Sequence, residues 1–246
     1  MQTKISAFCE RVIESGWLLA VILVPLFFNV YSSRVFEPDK IALLRTIAFL
    51  MALAWVIKWS EEKLGAKGTE HAGEKDGPGS FLRTPLVFPA LLLACVYILT
   101  TLTSVVPRIS LWGSYQRMQG TYTMLSYLVI FVLIVLNLRR PEQLQRLQTA
   151  IILTSLPIAL YALIQHYNLD PLPWAGDVTF RVASNMGNAI FIGAYFIMVV
   201  PLTLARLGYL QSATAETLGA RTKVAFGLAF WVALAVVLVL WALVGF

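Results

Sequence analysis

The 246-residue chain is 59% hydrophobic and only 13% charged, with a mean hydropathy of +0.75, which excludes an ordinary soluble fold. Its formal net charge of +6 would point to nucleic acid in a soluble protein. Here the lysines and arginines fall mostly in short segments between apolar runs, where they act as a topology signal, and no nucleic-acid partner is expected. Cys9 and Cys95 cannot make a disulfide framework, because one lies in a charged segment and the other inside an apolar run.

Residues 1–14 read as a cytoplasmic amphipathic lead, with Ile5, Phe8 and Val12 set against Lys4, Glu10 and Arg11. Residues 15–246 then read as an all-α integral membrane protein, a bundle of about seven transmembrane helices. About 20 residues are needed to cross roughly 30 Å of hydrocarbon. Apolar runs of that order place spans at 15–32, 41–58, 86–104, 123–138, 147–167, 189–207 and 224–246. Pro25, Pro89, Pro157 and Pro201 fall inside them and predict kinks. The glycine-rich, charged stretch 60–84 has no apolar period and reads as a flexible cytoplasmic loop, with His71 as a solvated residue within it.

With the N-terminus inside, thirteen lysines and arginines lie in inner segments and five in outer ones, leaving Arg45 within a span. That bias predicts a cytoplasmic N-terminus and a multi-pass protein of the bacterial inner membrane. The chain ends on an apolar run at Phe246, which leads us to expect a missing C-terminal half or a partner subunit.

All thirteen acidic residues lie outside the spans, which disfavours a proton-coupled transporter. No phosphate loop, H-E-x-x-H helix, Cys/His cluster or nucleophile elbow is present, so neither a metal nor a cofactor is expected. His166, at the outer end of the fifth span, reads as an interface residue and not a general base. The outer face is where chemistry concentrates. Its first loop carries Arg34, Glu37, Asp39 and Lys40, with Arg45 about one turn into the next span; Arg45 can snorkel outward or pair with Glu37 or Asp39. Its second carries Arg108, Arg117 and Gln119, and its third Asp170, Asp177, Arg181 and Asn188. Arginine's planar fork suits phosphate, and a lipid-linked pyrophosphate at headgroup level matches these positions. A helix start preceded by an arginine, as at Phe180–Pro201, is a candidate anion site and also an ordinary capped helix with an interfacial charge.

Three stretches carry a resemblance: FEPDKIALLR at the second span, WGSYQRMQGTY before the fourth, and FRVASNMGNAIFIGAYFIMVVPLTLAR at the sixth. Together they resemble the N-terminal half of bacterial O-antigen ligase and O-antigen polymerase-like membrane proteins. The resemblance implies glycosyl transfer on the outer membrane face, from an undecaprenyl-pyrophosphate-linked glycan to an acceptor hydroxyl. It implies that Arg117 and Arg181 hold the pyrophosphate, with Arg45, Gln119 and Asn188 as further binding residues. The catalytic residue is unknown, and Ala189-Ile190 departs from the family's proline and asparagine after Gly187-Asn188. The alternative is a noncatalytic multi-span subunit or lipid-binding scaffold of a larger complex, with membrane lipids as its partners.

Overall fold

A computed structural model describes residues 4–29, 31, 37–66, 84–172, 174 and 177–217. Among them are seven α-helices: α1 (Lys4–Leu26), α2 (Glu37–Ala66), α3 (Val87–Leu102), α4 (Pro107–Trp112), α5 (Thr121–Asn137), α6 (Pro141–His166) and α7 (Ala189–Thr217). A 3₁₀ turn at Ser184–Met186 precedes α7, and no strand occurs among the described residues. The expected span 224–246, most of the 60–84 loop including His71, and Arg34 lie outside the described residues.

The helical limits follow the apolar runs, with instructive differences. Among the described residues, three helical stretches are long and apolar enough to cross a membrane: Glu37–Glu62, Pro141–His166 and Ala189–Gly208. The expected spans at 86–104 and 123–138 form helices of 16 and 17 residues. At 1.5 Å per residue these reach only about 25 Å, somewhat short of a hydrocarbon core of roughly 30 Å. Val87–Leu102 ends with Thr103 as its cap, and Pro107 opens a further short helix, α4, within what hydropathy read as an outer loop. The lead and the first expected span share one helix, Lys4–Leu26, whose polar first half sets it apart from the three stretches long and apolar enough to cross. α1, α6 and α7 run without interruption through Pro25, Pro157 and Pro201. Pro89 lies in the first turn of α3, where its missing N–H breaks no helical bond.

The chain divides into two compact units: Met1–Val24 with Asn29–Leu147, and Pro25–Phe28 with Gln148–Phe246. In the first, Cys9, Ile13, Trp17 and Ala20 of α1 recur at helical spacing and pack with Ile47, Met51 and Ala54 of α2 and Leu133 of α5. Gly16 permits close contact, since a Cβ there would collide with Met51. The polar end of this core is closed by Lys58, which donates to Glu10 at 2.8 Å, and by Arg146, which pairs with Glu14. In the second unit, Ile158, Ala159 and Ala162 of α6 pack with Val182, Ile192 and Phe196. Outward-facing residues of α3 and α7, such as Phe88, Leu92, Leu99, Ile197 and Met198, are apolar and exposed, the surface expected of lipid-facing helices.

Candidate functional site

The first unit organises its polar chemistry around Arg45, which sits two turns into α2 and is only 5% exposed. Neither Glu37 nor Asp39 receives it. Its Nε donates to Thr123 Oγ1 at 3.0 Å, and one terminal nitrogen donates to the carbonyls of Trp112 at 3.1 Å and Met118 at 2.7 Å and again to Thr123 Oγ1. The guanidinium also lies 4.6 Å from the Tyr122 ring centroid, within cation–π range. Buried charge demands such saturation, and carbonyl oxygens supply it here without a carboxylate.

The consequence is a clasp on the loop between α4 and α5. Thr123 Oγ1 donates to the Met118 carbonyl at 2.7 Å, so Met118 O accepts from both Arg45 and Thr123. Met118 itself has a left-handed backbone, φ 51°. Gly113, at φ 86°, lies so close to the chain at 118–120 that a Cβ would collide with backbone, and the same holds for Gly120 against Leu111 and Gly113. On this tightly closed loop Arg117 projects outward, its side chain 67% exposed and its Nε 3.9 Å from Glu37 Oε2. An exposed pair at that distance contributes at most about 1 kcal/mol, which leaves the guanidinium available to an anion. Gln119 is exposed on the same loop. Asp39 accepts from Asn29 at 2.9 Å.

The second unit has its own polar centre, in the connection from α6 to α7. Gln165 is fully buried, and its Oε1 accepts the backbone N–H groups of Ala183 at 3.2 Å and Ser184 at 2.7 Å. Ser184 has φ 47°, an unfavourable value for a non-glycine residue, and it is held there by these contacts and by its own Oγ donating to the Ile158 carbonyl at 2.9 Å. Asn185 donates to the Pro25 carbonyl at 2.6 Å, satisfying an oxygen at the C-terminal end of α1. Asp170 accepts from Tyr161 and Trp174 at 2.8 Å each, from Gln165 at 3.3 Å and from the Leu172 N–H at 3.0 Å. Burial works to raise the Asp170 carboxyl, but these donors outweigh it and hold it below its ordinary value. Asp177 is held low by the Thr179 hydroxyl and N–H groups of its own turn.

Arg181 and Asn188 are both exposed. Asn188 Oδ1 accepts the Ile190 N–H at 2.9 Å, so this side chain caps α7, and Gly187 before it adopts the left-handed conformation at φ 76°. The glycine-asparagine pair thus builds the helix start even with Ala189-Ile190 behind it. His166 Nδ1 lies 2.8 Å from the Thr179 carbonyl; a carbonyl only accepts, so that nitrogen carries the proton. Among the described residues no group of three or more His, Cys, Asp or Glu could hold a metal ion.

Arg117 and Gln119 share a loop in the first unit, while Arg181 and Asn188 flank the 3₁₀ turn in the second. Arg45 has its Nε and one terminal nitrogen committed inside the protein, so it positions the Arg117 loop. Sequence reasoning passed over Thr123, Gln165 and Ser184 as site builders and noted Asp170 only as an outer-loop acid. A buried glutamine at the end of an apolar helix was the one signal that could have revealed the second centre. Comparison with protein-family models, curated proteins and solved structures returns no match.

Proposed function

We infer that this chain belongs to a multi-pass membrane glycosyltransferase of the O-antigen ligase-like kind, in the bacterial inner membrane with its N-terminus in the cytoplasm. Its substrate in this reading is an undecaprenyl-pyrophosphate-linked glycan at the outer headgroup level, with Arg117 and, from the resemblance, Arg181 as the arginines that contact its phosphates. The observation that supports it best is the Arg117 loop: one arginine, Arg45, is buried to fix the loop, and a second is presented outward with only a weak carboxylate contact. Structural arginines at an interface need no such scaffold.

In the transfer, the anomeric carbon–oxygen bond to pyrophosphate breaks and a new one forms to the acceptor hydroxyl, whose proton passes to a base. Negative charge grows on the departing pyrophosphate. Arginine forks neutralise it without a metal.

The test is transfer from a lipid-linked donor in membranes containing the protein. Arg117→Ala and Arg181→Ala should each cost about 2–5 kcal/mol of transition-state stabilisation, and the lysine versions should recover only part. Membrane insertion should be unchanged. Near-normal transfer by both alanine variants would overturn the assignment and favour a noncatalytic subunit.

A further inference from the structure

Arg181 stands in the connection from α6 to α7, two residues after Thr179 and two before Ala183. It is exposed and makes no ion pair among the described residues. Asp177, the acid nearest to it in sequence, turns its Oδ1 to the N–H groups of Thr179 at 2.9 Å and Phe180 at 3.4 Å. An arginine on an unrestrained connection samples many positions, and ordering it on a ligand costs entropy. The connection that carries Arg181 is not of that kind.

Both of its flanks are held by the last two residues of α6, Gln165 and His166. On one side, His166 Nδ1 donates to the Thr179 carbonyl at 2.8 Å. On the other, Oε1 of the fully buried Gln165 accepts the N–H groups of Ala183 at 3.2 Å and Ser184 at 2.7 Å. Adjacent side chains leave a helix about 100° apart, so one short segment meets both only by bending around the helix end. Val182, the residue after Arg181, is 1% exposed and packs with Ile158, Ala159 and Ala162 of the same helix. What remains free at Arg181 is its side chain.

The independent observation is Ser184, whose left-handed φ of 47° is unfavourable for a non-glycine residue. Such strain persists only where the surroundings over-determine it, and it collects where a neighbouring group must be aimed. Gln165 supplies two of the contacts that hold it, and Ser184 Oγ adds a third by donating to the Ile158 carbonyl at 2.9 Å.

We propose that Gln165 and His166 are positioning residues for Arg181, a two-point clamp at the end of α6 that presets its guanidinium for a phosphate group. The proposal rests on the reading of Arg181 as a phosphate contact.

The experiment measures binding of inorganic pyrophosphate to the full chain in an uncharged detergent by calorimetry, with hydrogen exchange at Ala183 and Ser184 followed in the same samples. Arg181→Ala should weaken binding about tenfold or more. Gln165→Met should speed exchange at the two amides and weaken binding about fivefold or more, yet add little in the Arg181→Ala background. His166→Phe should weaken binding to a similar degree. His166→Asn, whose amide N–H falls close to the place of the Nδ1–H, should recover most of the loss; asparagine has no basic nitrogen, so that recovery separates positioning from proton transfer. Circular dichroism confirms that the variants keep their helices, and the substitutions at the part-exposed His166 carry the test if Gln165→Met fails to fold. Undiminished binding by the Gln165 and His166 variants, or losses that add in full to that of Arg181→Ala, overturns the proposal. No binding by the parent, or undiminished binding by Arg181→Ala, is instead the failure of the phosphate reading itself, and the clamp's role falls with it.

Discussion

Arg45 decides the most at the scale of single residues. Removing a guanidinium with three distinct oxygen acceptors from a buried setting takes the Arg45 donor from the Trp112 carbonyl and leaves the Met118 carbonyl with Thr123 alone. Hydrogen bonds to charged groups contribute about 1.5–3 kcal/mol each, and they are not additive. Arg45→Leu should therefore lower stability by about 2–4 kcal/mol, read as thermal unfolding in detergent, and Arg45→Lys should recover less than half because an ammonium cannot reproduce the fork. An unchanged melting temperature would show that the clasp is dispensable. Asp170 makes a parallel case with a pH signature. Its folded carboxyl is depressed, so the stabilisation is fully present above the ordinary value near 3.8 and is lost as pH falls through the lower folded value. Glu14 is depressed in the same sense, with burial opposed by Gln143 and Arg146. The melting temperature should fall below about pH 4, and Asp170→Asn should lower it at neutral pH while flattening the acid-side decline. A variant with the same acid profile as the parent would remove Asp170 from that role.

Elements show why hydropathy read some boundaries and missed others. An apolar run of about 20 residues has one backbone solution in lipid, a helix that satisfies its own N–H and C=O groups, so 147–167 and 189–207 were legible as helices. The stretch from Thr103 to Gly120 was not. It holds a six-residue helix whose last residue, Trp112, and the adjoining Gly113 are fixed by backbone contacts with residues 118–120 and by Arg45. Gly113 tests this element directly, because it has both a positive φ and no room for a Cβ. Gly113→Ala should destabilise by about 1–3 kcal/mol and shift Arg117 from its place. A thermal scan checks the first effect; an alanine variant as stable as the parent would mean that the loop relaxes freely.

Many large apolar side chains are exposed among the described residues, and Cys95 reports on where that surface resides. It is exposed on α3 among Leu92, Val96 and Leu99, whereas Cys9 is buried in the first unit's core. If α3 faces lipid, Cys95 should react with a membrane-permeant maleimide and resist a hydrophilic one in intact membranes. Fast reaction with the hydrophilic reagent would contradict lipid burial. The same chemistry examines orientation: a cysteine introduced at Gly73 should be protected in intact cells and labelled after lysis, as the thirteen-to-five charge bias predicts.

From composition and apolar spacing alone came the all-helical class and the stretches long and apolar enough to cross a membrane, because helix formation in lipid depends on local runs of side chains. What Arg45, Asn188 and Asp170 do was decided only by tertiary structure. Arg45 meets an acceptor 78 residues away, and Gln165 reaches 19 residues forward to hold Ser184. Hydrogen bonds at such separations leave no period in the chain. A buried polar group finds its partner only once the packing that excludes water has brought the two together.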